Sequence, residues 1–145
     1  MSLSFHGQCH CGNLELAFET NLTPEQLPVR ACACSFCRRH GARTASDPNG
    51  GVKITIHDSN LLIRYRFGLK TADFLICQRC GIYLAAVMTV DDNAYATLNI
   101  NTFDSAESFK QRPNTVSYDG ETEAQRRARR EKNWTPVVEF REGLS

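Results

Sequence analysis

The stretch "ACACSFCRRHG", residues 31–41, sets thiols at Cys32, Cys34 and Cys37 and follows them with Arg38, Arg39, His40 and Gly41. Three cysteines within six positions need a reason, and the other four supply it. They fall in two short groups, Cys9-x-Cys11 and Cys77-x2-Cys80. Residues i and i+2 of an extended segment project to one side, so Cys9 and Cys11 can face one ion. In Cys77-Gln78-Arg79-Cys80-Gly81 the turn gathers two sulfurs, and Gly81 lets the backbone curl round them. Two such pairs make a closed tetrahedral site of four sulfurs, the geometry of structural zinc. Buried or disulfide-bonded cysteines are the bland alternative for this set.

Three thiols remain on one segment. A trio of protein ligands leaves a fourth zinc position for water or substrate, the arrangement of catalytic sites. The alternative is a second structural site completed by His40, His10 or another side chain. Ser35 is positioned to cap a short helix over 36–40 that Gly41 ends in a left-handed conformation. Its first N–H groups, with Arg38 and Arg39, would favour thiolate charge.

Outside the cysteine groups the pattern is that of strands. Leu14, Leu16 and Phe18 alternate with polar or small residues over 13–20, and Thr23-Pro24 starts a short helical turn. Asp47-Pro48 and Asn49-Gly50 mark a loop. Strands are expected over 52–57, 61–67, 71–77 and 94–100, and over 82–90, which is apolar on both faces and therefore central. Short helices are expected over 104–111, stopped by Pro113, and over 121–132. Trp134, Val137, Val138 and Phe140 would pin the tail onto the core.

The chain has 145 residues and an apolar fraction of 41%, enough for one domain over 1–145 with a motif core over 5–100 and a helix and tail over 121–145. A net charge of +1 gives no general pull toward polyanions or acidic membranes. No stretch is long and apolar enough to span a bilayer, and residues 1–8 lack a signal-peptide pattern, so a cytoplasmic location is expected. Seven cysteines are an odd number, which speaks against a disulfide scaffold in a reducing compartment. The basic run Gln125 to Lys132 is read as a solvated helix face, with Arg127 and Glu131 able to pair and nucleic-acid contact as the alternative. His6, His10 and His57 are read as surface residues.

Three blocks, Gly7-Gln8-Cys9-His10-Cys11-Gly12, residues 32–41 and Cys77-Gln78-Arg79-Cys80-Gly81, resemble in order and spacing the glutathione-dependent formaldehyde-activating enzymes and the related centromere-protein-V-type domains. The chain departs from the family's common pattern at Ala33 and Ile82. The resemblance implies a mainly β, Mss4-like fold of packed small antiparallel sheets around zinc sites, with short helices. It implies two zinc ions per chain: a structural one on Cys9, Cys11, Cys77 and Cys80, and an open one on Cys32, Cys34 and Cys37. It further implies a carbon–sulfur lyase that activates a small thiol, glutathione or similar, for adduct formation with an aldehyde such as formaldehyde. Arg38 or Arg39 would hold a substrate carboxylate and His40 would shuttle a proton. The alternative function is a zinc-stabilised nucleic-acid- or protein-binding module.

Overall fold

The computed structural model describes residues 2–143; Met1 and the last two positions of the expected tail, Leu144 and Ser145, lie outside the described residues. The chain is mainly β. The strands are β1 (Leu3–Gln8), β2 (Leu14–Thr20), β3 (Val29–Cys32), β4 (Thr44–Ala45), β5 (Gly51–Ile56) and β6 (Leu62–Tyr65). They continue with β7 (Asp73–Cys77), β8 (Tyr83–Val90), β9 (Asn93–Asn99), β10 (Asn114–Val116) and β11 (Thr135–Glu142). Two α-helices, α1 (Ser35–His40) and α2 (Glu123–Asn133), complete the frame.

Alternation decides the faces. In β2 the side chains of Leu14, Leu16 and Phe18 are buried, while those of Ala17 and Glu19 are exposed. Tyr83 to Met88 in β8 are buried throughout, because this strand is flanked by β7 and β9 and covered on both faces. Strand β6 pairs only with β7, which leaves Ile63 to Arg66 facing solvent.

The strands divide into two sets, β1-β2-β5 and a larger set around β7-β8-β9, which β11 joins by pairing parallel with β5 and antiparallel with β9. Strands β3 and β10 also run parallel. The pairings are otherwise antiparallel, and β11 links the two sets into one mixed sheet, which fits the expected mainly β fold of small sheets. The tail therefore enters the sheet, with Trp134 buried and Val137 and Phe140 packed on the core. Val138 is the exception: the register shifts between Val137 and Glu139, and Val138 turns to solvent.

Two apolar clusters result. The main one packs β2, β5 and β9 side chains with Phe103 and Phe109, while the second gathers Phe74, Tyr83, Met88 and Trp134 beside Cys37. The helix expected over 104–111 is absent; only a single 3-10 turn, Ala106–Ser108, forms there. The reason is aromatic packing. The Phe103 and Phe109 rings meet at 5.6 Å and both pack on Phe5. Six residues apart on an α-helix they would be separated by about 9 Å along the axis and roughly 240° around it.

At one edge His6 bridges β1 and the 103–109 segment. Its Nδ1 meets Asp104 Oδ2 at 2.7 Å and its Nε2 meets Glu15 Oε1 at 2.8 Å, while His57 bonds the other Glu15 oxygen. The carboxylates of Glu15 and Asp104 hold the His6 imidazole above its ordinary 6.5, and the two histidines hold Glu15 below 4.5. A raised histidine stabilises fully below its unfolded value and ceases to do so as pH rises through its folded one; a depressed carboxylate stabilises above its unfolded value. His6→Gln is therefore expected to lower thermal stability by a few tenths to about 1 kcal/mol at pH 6, with the difference from the parent shrinking as pH rises through the raised folded-state value. Melting curves across that range check it.

Candidate metal centre

The first sulfur cluster forms where two hairpin ends meet. Between β1 and β2 the Cys9 N–H donates to Leu14 O at 2.9 Å, and Gly12 takes a φ of 86°. Between β7 and β8 the Cys77 N–H donates to Ile82 O at 3.0 Å and the Gly81 N–H to Cys77 O at 2.8 Å, with Gly81 at a φ of 81°. A side chain at either glycine would be strained in that left-handed region. The two turns carry Cys9, Cys11, Cys77 and Cys80, whose Sγ atoms all lie within 4.8 Å of one another. Cys9 and Cys11 sulfurs are 3.8 Å apart, and Cys11 and Cys77 sulfurs 3.5 Å. Metal–sulfur bonds of about 2.3 Å in a tetrahedron give sulfur–sulfur edges of about 3.8 Å. All seven cysteines are free thiols, so these approaches are not disulfides. The donor set and its spacing fit a tetrahedral ion.

Burial drives the Cys9 thiol up to about 12. It opposes ionisation of Cys80 as well, but backbone N–H groups of Cys11 and Ile82 outweigh it and bring Cys80 down to about 6. A cluster with donors already aimed at its sulfurs is prepared for thiolate charge.

The second cluster is Cys32, Cys34 and Cys37, again with every Sγ within 4.8 Å of the others. Strand β3 delivers Cys32 and α1 delivers Cys37. Helix α1 is capped by Cys34, one residue before the expected Ser35: the Cys37 N–H donates to Cys34 Sγ at 3.4 Å. Sulfur thus takes the place that a hydroxyl fills in ordinary caps. Gly41 ends the helix in the left-handed conformation, as expected. A hydrogen bond from Cys37, aided by the charge of Arg129, brings Cys32 down to about 5, and the same bond pushes Cys37 upward.

This trio opens onto a cavity of about 110 Å³ whose cationic wall is made by Arg30, Arg126, Arg129 and Arg130 and whose apolar side includes Phe74 and Trp134. That volume is several times what one water needs. The basic run read as a solvated face is turned inward at Arg126, Arg129 and Arg130, while Gln125, Ala128, Glu131 and Lys132 are exposed as expected. Arg130 is 7% exposed; its Nη1 donates to Thr71 Oγ1 at 2.7 Å and its guanidinium lies 4.6 Å over the Trp134 ring. Arg129 makes a two-bond fork to Glu121 at 2.8 and 3.2 Å, stacks 3.4 Å over Tyr118, and shares Glu121 with Arg126. Arg127 faces away and pairs with Glu123, not Glu131. The overlooked signal is the stripe 126, 130, 134, one helical turn apart and ending in a buried tryptophan.

The family model for glutathione-dependent formaldehyde-activating enzymes matches residues 4–118, a span that contains all seven cysteines. The chain belongs to that family. A crystal structure of a Rhodobacter sphaeroides protein is similar, with 28% identity over 77% of this chain and 99% of the other, at a TM-score of 0.57. No curated protein matches the chain. Helix α2, which supplies three of the four arginines of the wall, lies beyond the span that matches the formaldehyde-activating family. Among the described residues no helix is long and apolar enough to cross a membrane.

Of the other expected site residues, Arg38, Arg39 and His40 are exposed on α1. Arg39 donates back to Ser35 O at 3.3 Å, and the His40 ring packs at a tilt, its centroid 4.4 Å from that of Phe36 and 5.7 Å from that of Tyr83.

The two clusters predict different losses. Cys80→Ser is expected to remove metal-coupled stability of several kcal/mol, on the order of a structural metal site, and abolish the cooperative melt. Cys34→Ser should retain the fold to within about 1–2 kcal/mol and lose one of two bound ions. Native mass spectrometry beside thermal melts reads both, and equal unfolding would overturn the division.

Proposed function

We propose that the protein is a zinc-dependent enzyme of the carbon–sulfur lyase type, which joins a small thiol, glutathione or a related one, to an aldehyde such as formaldehyde. The observation that carries the reading is a trio of thiols at the mouth of a cavity walled by arginines. Three cysteines leave an ion one coordination short, whereas the four of the other cluster complete one. Family membership supports a glutathione- and formaldehyde-related activity in general terms.

A zinc ion held by Cys32, Cys34 and Cys37 would bind the incoming thiol at its remaining position and favour the thiolate. The protein's own side chains do the rest. Arg30 forms no ion pair among the described residues and keeps its fork for a substrate carboxylate; the hydrogen bond that its Nη1 donates to Ser46 Oγ is a long one, 3.4 Å. Arg129, pinned by Glu121, holds positive charge beside Cys32. Phe74 and Trp134 line the cavity with apolar surface, which restricts water near the sulfur and strengthens these interactions. His40, in ring contact with Tyr83, is the member of the α1 trio best placed for proton exchange; Arg38 and Arg39 would meet a part of the ligand projecting from the cavity. The inward turn of Arg126, Arg129 and Arg130 favours this reading over a nucleic-acid-binding surface, because those cations are engaged at the cavity.

In a calorimetric titration, zinc-loaded protein should bind glutathione and fail to bind S-methylglutathione, which keeps the peptide but blocks the sulfur. Binding of neither, or of both equally, would remove glutathione activation at the metal from consideration. Arg30→Gln is expected to weaken glutathione binding about ten-fold, the loss for one charge-assisted hydrogen-bonded contact.

A further inference from the structure

Two polar groups in the wall of the Cys32–Cys34–Cys37 cavity are buried without a partner. The Tyr83 hydroxyl sits on a residue 1% exposed, and the Arg130 Nε–H on one 7% exposed, and no described residue accepts from either. Both residues line the same cavity and lie close enough to influence each other's charge. Arg130 is also a buried cation that forms no ion pair among the described residues, its polar contact being the neutral Thr71 hydroxyl. An unmet buried donor costs about 1–3 kcal/mol, and an unpaired buried charge costs more. Phenylalanine would fill the Tyr83 position without that cost, packed as it is among Phe36, Phe74 and His40. Two such donors on residues that line one cavity, beside the thiols, suit an oxygen that bears negative charge.

We propose that the Tyr83 hydroxyl and the Arg130 guanidinium bind the carbonyl oxygen of the aldehyde and stabilise it as it becomes an alkoxide. This assignment rests on the thiol–aldehyde reading of the same cavity. In the step, the thiolate sulfur gives an electron pair to the carbonyl carbon and forms the carbon–sulfur bond. The carbon–oxygen π bond breaks, its pair moves to oxygen, and the new alkoxide accepts hydrogen bonds from Tyr83 and Arg130. A proton from solvent, equal to the one the thiol released, then completes the hydroxymethyl thioether. Tyr83 donates its hydrogen bond throughout and stays neutral. Arg130 comes from α2, outside the span matched to the family, whereas Tyr83 follows Gly81 by two residues within it.

Formate, a one-carbon anion with the size of the aldehyde and charge on oxygen, is the probe. Calorimetry on zinc-loaded protein is expected to show formate binding that Tyr83→Phe and Arg130→Lys each weaken at least ten-fold. Tyr83→Phe should melt at or above the parent temperature and keep its zinc content and its glutathione affinity, while turnover of glutathione with formaldehyde falls at least ten-fold in kcat. Formate binding that is absent in the parent or unchanged in Tyr83→Phe overturns the assignment. A loss of glutathione affinity in Tyr83→Phe overturns it too, since the donors would then serve the thiol's carboxylate. Absence of glutathione binding in the parent would instead sink the thiol reading, and formate binding dependent on Tyr83 would survive that result.

Discussion

The meeting of Cys11 with Cys77, 66 positions apart in the chain, is the constraint on which the remaining architecture hangs. It joins the turn of the β1–β2 hairpin to the turn of the β7–β8 hairpin. Without an ion, four thiols gathered this closely would repel on ionising and hide one another from water; with one, their charge becomes the source of cohesion. Everything from β3 to β7 lies between the joined ends, including the three-cysteine segment. The four-thiol cluster thus stands at the ends of that loop, and the loop carries the three-thiol one.

Around the open cluster the balance of charge is unusual. Four arginines share a cavity wall, yet one carboxylate, Glu121, holds two of them, and Asp119 is the acidic residue in the lining. Burial pulls the Arg130 guanidinium down to about 10, which leaves it charged at neutral pH. Such an excess of buried positive charge is costly in an apolar setting and is offset when thiolates and an anionic ligand occupy the same space. The aromatic surroundings raise the stakes, since the second apolar cluster places Phe36, Phe67 and Phe74 in mutual contact at 4.8–5.4 Å.

Much of this was legible in the sequence. Short-range spacing is enough to sort seven cysteines into four and three, because a chelating pair closes within a single turn. Alternation located β2, and the doubly apolar run located β8, for the same reason: side-chain direction in a strand is a local property. The parts that escaped are those set by distant packing. Phe103 and Phe109 abandon a helix to meet one another on Phe5, a choice no window of ten residues contains. The arginines of α2 look solvated by composition, and their inward turn accompanies the burial of Trp134, which ends α2 just before β11 enters the sheet. Cys34 displaced Ser35 as the helix cap because the sulfur is already committed to that corner.

The parallel pairing of β11 with β5 gives the molecule a division of labour along its length. All seven thiols are in place by residue 80, and after β8, β9 and β10 the chain adds α2 and β11, the strand gripping both halves of the sheet. Exchanging the segment from Asp119 onward would remodel the cationic wall without touching a single thiol. The sulfurs and most of the cationic wall are in this way carried on separate stretches of one chain, with Arg30 the wall's one arginine on the first.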